Sequence, residues 1–225
     1  MALPFDVNSS TNRKIILLVQ YVWITLYDTT LFGNIMSLVL TLVIHLGGQL
    51  DIISHAIENI STLSEKSESV GLKIRSLISK HQRIISMSDD IEALFTYVLL
   101  VHFLFNILII CSVGFAIAAA LRTNQGTVVV VKLIAYYCVL IMEAFIYCYA
   151  GEYLNNKSSG FGDTAYKSEW YNLKAKESRM LVLLVLRSQK SLCLTIGKFM
   201  DLSFARFTSI MKLSVSYISV LLAVY

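Results

Sequence analysis

Two uninterrupted apolar stretches constrain this chain more than anything else in it. Residues 94–121 hold no Asp, Glu, Lys or Arg, and residues 127–150 hold only Lys132 and Glu143. A hydrocarbon core about 30 Å thick needs about 20 helical residues at about 1.5 Å each, so each stretch reads as a membrane span. Residues 15–50 are apolar for longer than one span requires. They read as one tall helix whose 31–50 portion crosses, continuing to about residue 62 with Leu50, Ile53, Ile57 and Ile60 on one face. A signal peptide is the alternative for residues 13–27, but no small-residue cleavage site follows. Residues 204–225 form a weaker fourth span. They carry Arg206, Lys212 and several hydroxyl residues, which suits a helix facing protein or water rather than lipid on all sides.

The whole chain has 56% hydrophobic and 15% charged residues. Soluble domains carry about 25% charged residues, so a soluble enzyme, a disordered chain and a disulfide scaffold are excluded. The net charge of +4 is too small and too dispersed for nucleic acid. The fold class is therefore all-α, a polytopic membrane bundle of four spans with a helical layer beside the membrane.

Thirteen Lys and Arg residues lie in the two long connections, 51–92 and 151–200, against three in residues 1–14 and 121–126. The long connections are expected in the cytosol and both chain ends outside. Asn8 is then the one outward-facing sequon, while those at Asn59 and Asn156 face the cytosol. The expected segments are an outer remnant (1–14), a span with cytoplasmic extension (15–62), a cytoplasmic helix and span (70–121), a span (127–154), a cytoplasmic loop with an anchor helix (155–200) and a last span (204–225). A new helix is expected from Val70, with Ile74, Leu77, Ile78, His81 and Ile84 on its apolar side. Asp89-Asp90 reads as a helix start. Residues 155–164, rich in Asn, Ser and Gly, read as irregular. The run 180–186 is too short to span and reads as a packed helix.

No catalytic constellation is present: no nucleophile elbow, no Gly-rich phosphate loop and no paired carboxylates outside Asp89-Asp90. His45, His55, His81 and His102 share no i, i+3 or i, i+4 spacing, so neither a metal nor another cofactor is expected. Cys111, Cys138, Cys148 and Cys193 lack redox or metal spacing and read as reduced thiols.

Polar residues inside spans are more informative. Lys132, Tyr136, Glu143 and Tyr147 form one stripe, and Gln20, Trp23, Tyr27 and Asn34 share a face of the first helix. Packing against neighbouring helices is the plain reading of both. The functional reading is an aromatic cavity for a small, volatile, mostly apolar ligand, with Trp23, Tyr27, Tyr136 and Tyr137 as its candidate residues. On the last span Ser209, Leu213, Ser216, Val220 and Ala223 fall on one side, with Val224 at its edge. That stripe is either a helix interface or the wall of a pore built from several copies.

Several segments also resemble a known family. Tyr147-Cys148-Tyr149-Ala150-Gly151-Glu152, Ser168-Glu169-Trp170-Tyr171, Leu186-Arg187-Ser188-Gln189-Lys190, Gly197-Lys198-Phe199 and Ser216-Tyr217 resemble the C-terminal signature of insect odorant receptors. Leu3-Pro4-Phe5 and His45-Leu46-Gly47-Gly48-Gln49-Leu50 resemble the second outer loop and fourth span of that family. The resemblance implies spans four to seven of a seven-span fold, with Met1 an internal methionine of a partial chain. It implies a subunit of a ligand-gated, non-selective cation channel, assembled with co-receptor subunits as a hetero-oligomer, a tetramer. It places that channel in the plasma membrane of olfactory sensory neurons. Alignment on Ser216-Tyr217 implies that Val220 and Val224 stand at the hydrophobic gate, with Ala223 in place of a polar residue. A gustatory receptor subunit and a non-receptor membrane bundle are the rival readings. A G-protein-coupled receptor fragment is disfavoured, because the single proline, Pro4, lies outside every span.

Overall fold

The computed structural model describes residues 10–60, 67–123, 126–198 and 200–224. Among the described residues the elements follow in the order α1 (Ser10–Glu58), α2 (Ser67–Arg122), α3 (Thr127–Lys167), a 3₁₀ turn (Trp170–Asn172), α4 (Ala175–Ser188), β1 (Thr195–Ile196), β2 (Met200–Asp201) and α5 (Phe204–Val224). Three helices, α1, α2 and α3, are long and apolar enough to cross a membrane by length and composition. The chain divides into two compact units, residues 1–41 and 42–225.

The first unit contains the outer part of α1. Its side chains are largely exposed, Trp23 at 72% and Leu18 at 64%, and Thr30 donates its hydroxyl to the Leu26 carbonyl at 2.6 Å. That back-bond lets a threonine sit in an apolar helix without an unpaired donor.

The second unit is built on helices whose buried positions recur every three or four residues. In α1 these are Val43, Leu46, Leu50, Ile53 and Ile57; in α2 they are Val70, Ile74, Leu77, His81, Ile84, Ser88 and Ile91. Spacing of this kind keeps one stripe against a partner along the whole helix. Gly47 of α1 lies under the ring of Tyr153 of α3, where a side chain would collide. Lys157 of α3 reaches both carboxylate oxygens of Asp51 at 2.7 and 2.8 Å. Hydrogen bonding to Asp51 raises the Lys157 ammonium above its ordinary range. The pair is largely exposed and contributes little stability.

Two expectations are corrected. Asp89-Asp90 does not start a helix: both residues are exposed in the middle of α2, which runs unbroken from Ser67. Residues 155–164 are not irregular, because α3 continues through them to Lys167. Burial explains this second result. Ser158, Phe161 and Ala165 continue the buried stripe of Leu154, and the small residues Ser158 and Gly162 let the end of α4 approach. The Leu192 N–H donates to Ser158 Oγ at 3.0 Å. Packing therefore overrides the turn preference of Asn, Ser and Gly. The sequence reading also named no strand, yet β1 and β2 form an antiparallel hairpin, Thr195 opposite Asp201 and Ile196 opposite Met200. Its turn places Gly197 and Lys198 at φ 62° and 64°. Glycine takes that conformation freely and lysine only at a cost.

The run 180–186 is helical within α4, which buries Leu181, Leu184 and Ser188. That helix ends at Ser188. His81 stacks on Phe161 with ring centroids 4.6 Å apart. Burial, reinforced by the charge of Arg187, pushes the His81 pKa down to about 4.

Candidate functional site

The last helix has two unlike faces. Phe207, Met211, Ser214 and Ile218 point to α2 and α3. Phe207 and Met211 pack against the buried cluster of Ile110, Leu140 and Ala144, and Ser214 is 1% exposed. The opposite face carries the sequence stripe. Ser209 and Ser216 are exposed, Leu213 is 67% exposed and Val220 58%. At 100° per residue the two sets lie about half a turn apart. Three of its hydroxyls bond back to its own carbonyls, which lowers their cost in an apolar setting. Thr208 donates to Phe204 O at 3.0 Å, Ser209 to Ala205 O at 2.9 Å and Ser219 to Ser216 O at 2.7 Å. Ser216 and Val220 meet in a groove of about 470 Å³, together with Leu213, Tyr217 and the α2 residues Leu108, Cys111 and Ser112. The side chains of Ala223 and Val224 lie outside the described residues, as does Asn8.

The base of α5 is clamped on two sides. Its first N–H, on Phe204, donates to Glu152 Oε2 of α3 at 3.3 Å. Phe204 stacks on Phe145, and Phe207 meets Phe145 edge-on, both at 5.6 Å between centroids. Gly151 abuts the Leu202 backbone so closely that a Cβ there would overlap the Leu202 carbonyl. On the other side the hairpin is fixed to α2. Thr195 donates its hydroxyl to Glu92, and Thr96 donates to the Thr195 carbonyl at 3.1 Å. Next to this joint, Asn155, Cys193, Asp201, Arg206 and Ser209 line a polar cavity of about 310 Å³.

A second polar site, which the sequence reading missed, ties α2 to α3 inside the apolar region. Glu143 Oε1 lies 2.8 Å from His102 Nε2, and Glu143 Oε2 accepts from Asn106 Nδ2 at 3.1 Å. Tyr147 covers the group, its ring centroid 5.3 Å from that of His102. The signal was present in the sequence: His102 and Asn106 are four residues apart in an otherwise apolar span, opposite Glu143 and Tyr147 at the same spacing. The lower half of the Lys132–Tyr136–Glu143–Tyr147 stripe thus faces a neighbouring helix, whereas Lys132 and Tyr136 are exposed. Among the described residues no three His, Cys, Asp or Glu side chains gather as a metal site. All four cysteines are free.

The ligand candidates are distributed as follows. Tyr136 is exposed, whereas Tyr137 is half-buried against Ile110, Leu140 and Ala144. Trp23 belongs to the first unit, and the side chain of Tyr27 lies outside the described residues.

The 7tm Odorant receptor family model matches residues 1–215. The chain belongs to the insect odorant receptor family. Odorant receptor 85b of Drosophila melanogaster is 27% identical over 66% of this receptor chain and 37% of its own length. Odorant receptor 10 of Aedes albopictus is 28% identical over 72% of the chain and 42% of its own. Odorant receptor 13a of Drosophila melanogaster is 27% identical over the whole chain and 57% of its own length. The receptor chain therefore spans roughly four- to six-tenths of the length of these relatives. Its fold is that of the insect olfactory receptor OR5 from Machilis hrabei in complex with eugenol, with a TM-score of 0.86 at 18% identity over all of this chain and 56% of that one. OR5 in its other structure gives a TM-score of 0.82. The receptor chain is thus an all-α, multi-pass membrane protein.

Proposed function

We propose that the receptor chain forms part of a subunit that binds small volatile ligands and gates a non-selective cation channel together with co-receptor subunits. The observation that carries this reading is the unpartnered face of α5. A helix that faces lipid there has little use for Ser209 and Ser216 among its exposed Leu213, Val215, Tyr217 and Val220, whereas a wetted wall does. The face is hydroxyl-bearing toward the base and apolar above, as a pore wall with a dewetting constriction requires. In this reading α5 is a fourth span, Val220 narrows the pore, and Ser216 keeps the inner part wet. Tyr136 and Tyr137 face the ligand, and few polar groups suit an apolar volatile molecule. The two basic connections lie in the cytosol of an olfactory sensory neuron and the C-terminus lies outside. A sugar found on Asn156 would overturn that orientation.

The test is cysteine substitution along α5, in a Cys111→Ser background, in the longest form the gene encodes and with a co-receptor present. A water-soluble thiol reagent should modify current at positions 213, 216 and 220 and leave 211 and 218 untouched. Val220→Ser should hydrate the constriction and raise resting leak. Equal reactivity on both faces, with an unchanged leak, would refute the pore wall.

A further inference from the structure

Three helices converge at Gly114 of α2, and the room there is set by one missing carbon. A Cβ built on Gly114 would overlap the δ-methyl of Ile218 on α5, and it would stand 3.6 Å from Cε2 of Tyr137 on α3. Gly48 and Gly160 have nothing within 4 Å of the same position; Gly47 and Gly151 are also closely approached, but Gly114 is the one of these that faces the upper part of α5. Ile218 belongs to the packed face of α5, half a turn from Ser216 and Val220. A change in the spacing of α2 and α5 at this level therefore carries the Val220 face with it. The packed position is also not the one that satisfies every group on that face. The Ser214 hydroxyl, in a residue 1% exposed, has no hydrogen-bond partner among the described residues. A shift of α5 that admits a partner to Ser214 recovers this cost, which makes a second position of the helix accessible.

We propose that Gly114 is the positioning residue through which Tyr137 sets the stand-off of the pore helix. A glycine leaves the Ile218 side chain its place against α2, with the Tyr137 ring beside it at ordinary van der Waals distance. What sits against Tyr137 then decides how deeply Ile218 settles against α2, and so how far Val220 projects to the opposite side. The proposal rests on the reading of α5 as a pore wall and of Tyr137 as ligand-facing.

The experiment uses the longest form the gene encodes, expressed with a co-receptor under voltage clamp, with current normalised to surface label. The probes are a panel of volatile alcohols, esters and phenols. Gly114→Ala pushes α5 away from α2 and should lower both resting and evoked current about five-fold or more. Ile218→Ala frees space and should raise the resting current instead. Ile218→Val deletes the δ-methyl, so Gly114→Ala with Ile218→Val should return toward the parent. Gly114→Ala indistinguishable from the parent, or a double variant no better than Gly114→Ala, overturns the proposal. Loss of surface label that Ile218→Val fails to rescue makes Gly114 merely structural and also overturns it. Absence of current from the unmodified receptor with every probe overturns the channel reading itself, a separate outcome from a conducting receptor that ignores Gly114.

Discussion

Two glycines of α3 should respond with opposite sign to the same substitution. Gly160 is exposed with nothing within 4 Å of where a Cβ would stand. In the interior of a helix, alanine there recovers about 0.5–1 kcal/mol of conformational entropy and propensity. Gly151 is buried, and an added Cβ overlaps the carbonyl oxygen and the Cβ of Leu202. Neither is the tip of a flexible side chain, so α3 and the start of α5 must separate. Overpacking of this kind costs about 1–3 kcal/mol, and the rigid neighbour places it at the upper end. After the helix-propensity gain is subtracted, Gly151→Ala should lose about 2 kcal/mol. For a chain of this length that is a fall of about 4–8 °C in the unfolding midpoint, against a rise of a few degrees for Gly160→Ala. Thermal unfolding in detergent, followed by loss of the monodisperse chromatographic peak, measures both. A rise or no change for Gly151→Ala would show that α5 does not lie against Leu202 and Gly151 as described.

Two further outcomes are expected. His81 is neutral in the folded chain, with its pKa about 4 against 6.5 when free, so the unfolded chain takes up a proton first. Stability should be full above pH 6.5 and fall by an order of 2 kcal/mol as pH drops toward 4, with solvent screening allowed for. His81→Phe should remove that part of the slope in unfolding midpoints measured across pH, and an unchanged slope would place His81 in water. Glu143→Ala strips the acceptor from both His102 and Asn106 and should cost about 2 kcal/mol or more, whereas Glu143→Gln, which keeps one acceptor, should cost less than half as much. Equal losses in thermal unfolding would mean that the carboxylate is not the shared acceptor.

Much of the helical plan was legible because apolar spacing is a direct imprint of burial. Leu50, Ile53 and Ile57 of α1 and Ile74, Leu77 and His81 of α2 share a face by spacing alone, and all are buried. The errors fell where local preference and tertiary packing disagree. Asn155–Thr164 has the composition of a turn, but Ser158 and Gly162 serve there as small contacts for the end of α4. Asp89-Asp90 resembled a helix start only because an N-terminus and an exposed helix flank favour the same acidic residues. The hairpin at 195–201 has two-residue strands, too short for any alternation to register. At the candidate pore the stripe Ser209–Val220 was readable from 100° geometry alone. For the His102–Asn106–Glu143 group the spacing on each helix was there to read but the pairing was not, because pairing across helices is set by their relative height, which no single-helix pattern contains.

Helix α2 carries a mechanical corollary. Its 56 residues run without a break, a length of about 84 Å, through both the apolar region and the layer built on His81 and Ile74. A rod of that length has nowhere to bend quietly. A tilt of about 5° at one end sweeps the other through about 7 Å, so an adjustment among the upper side chains would register at the opposite extremity as a lever stroke rather than dying out on the way.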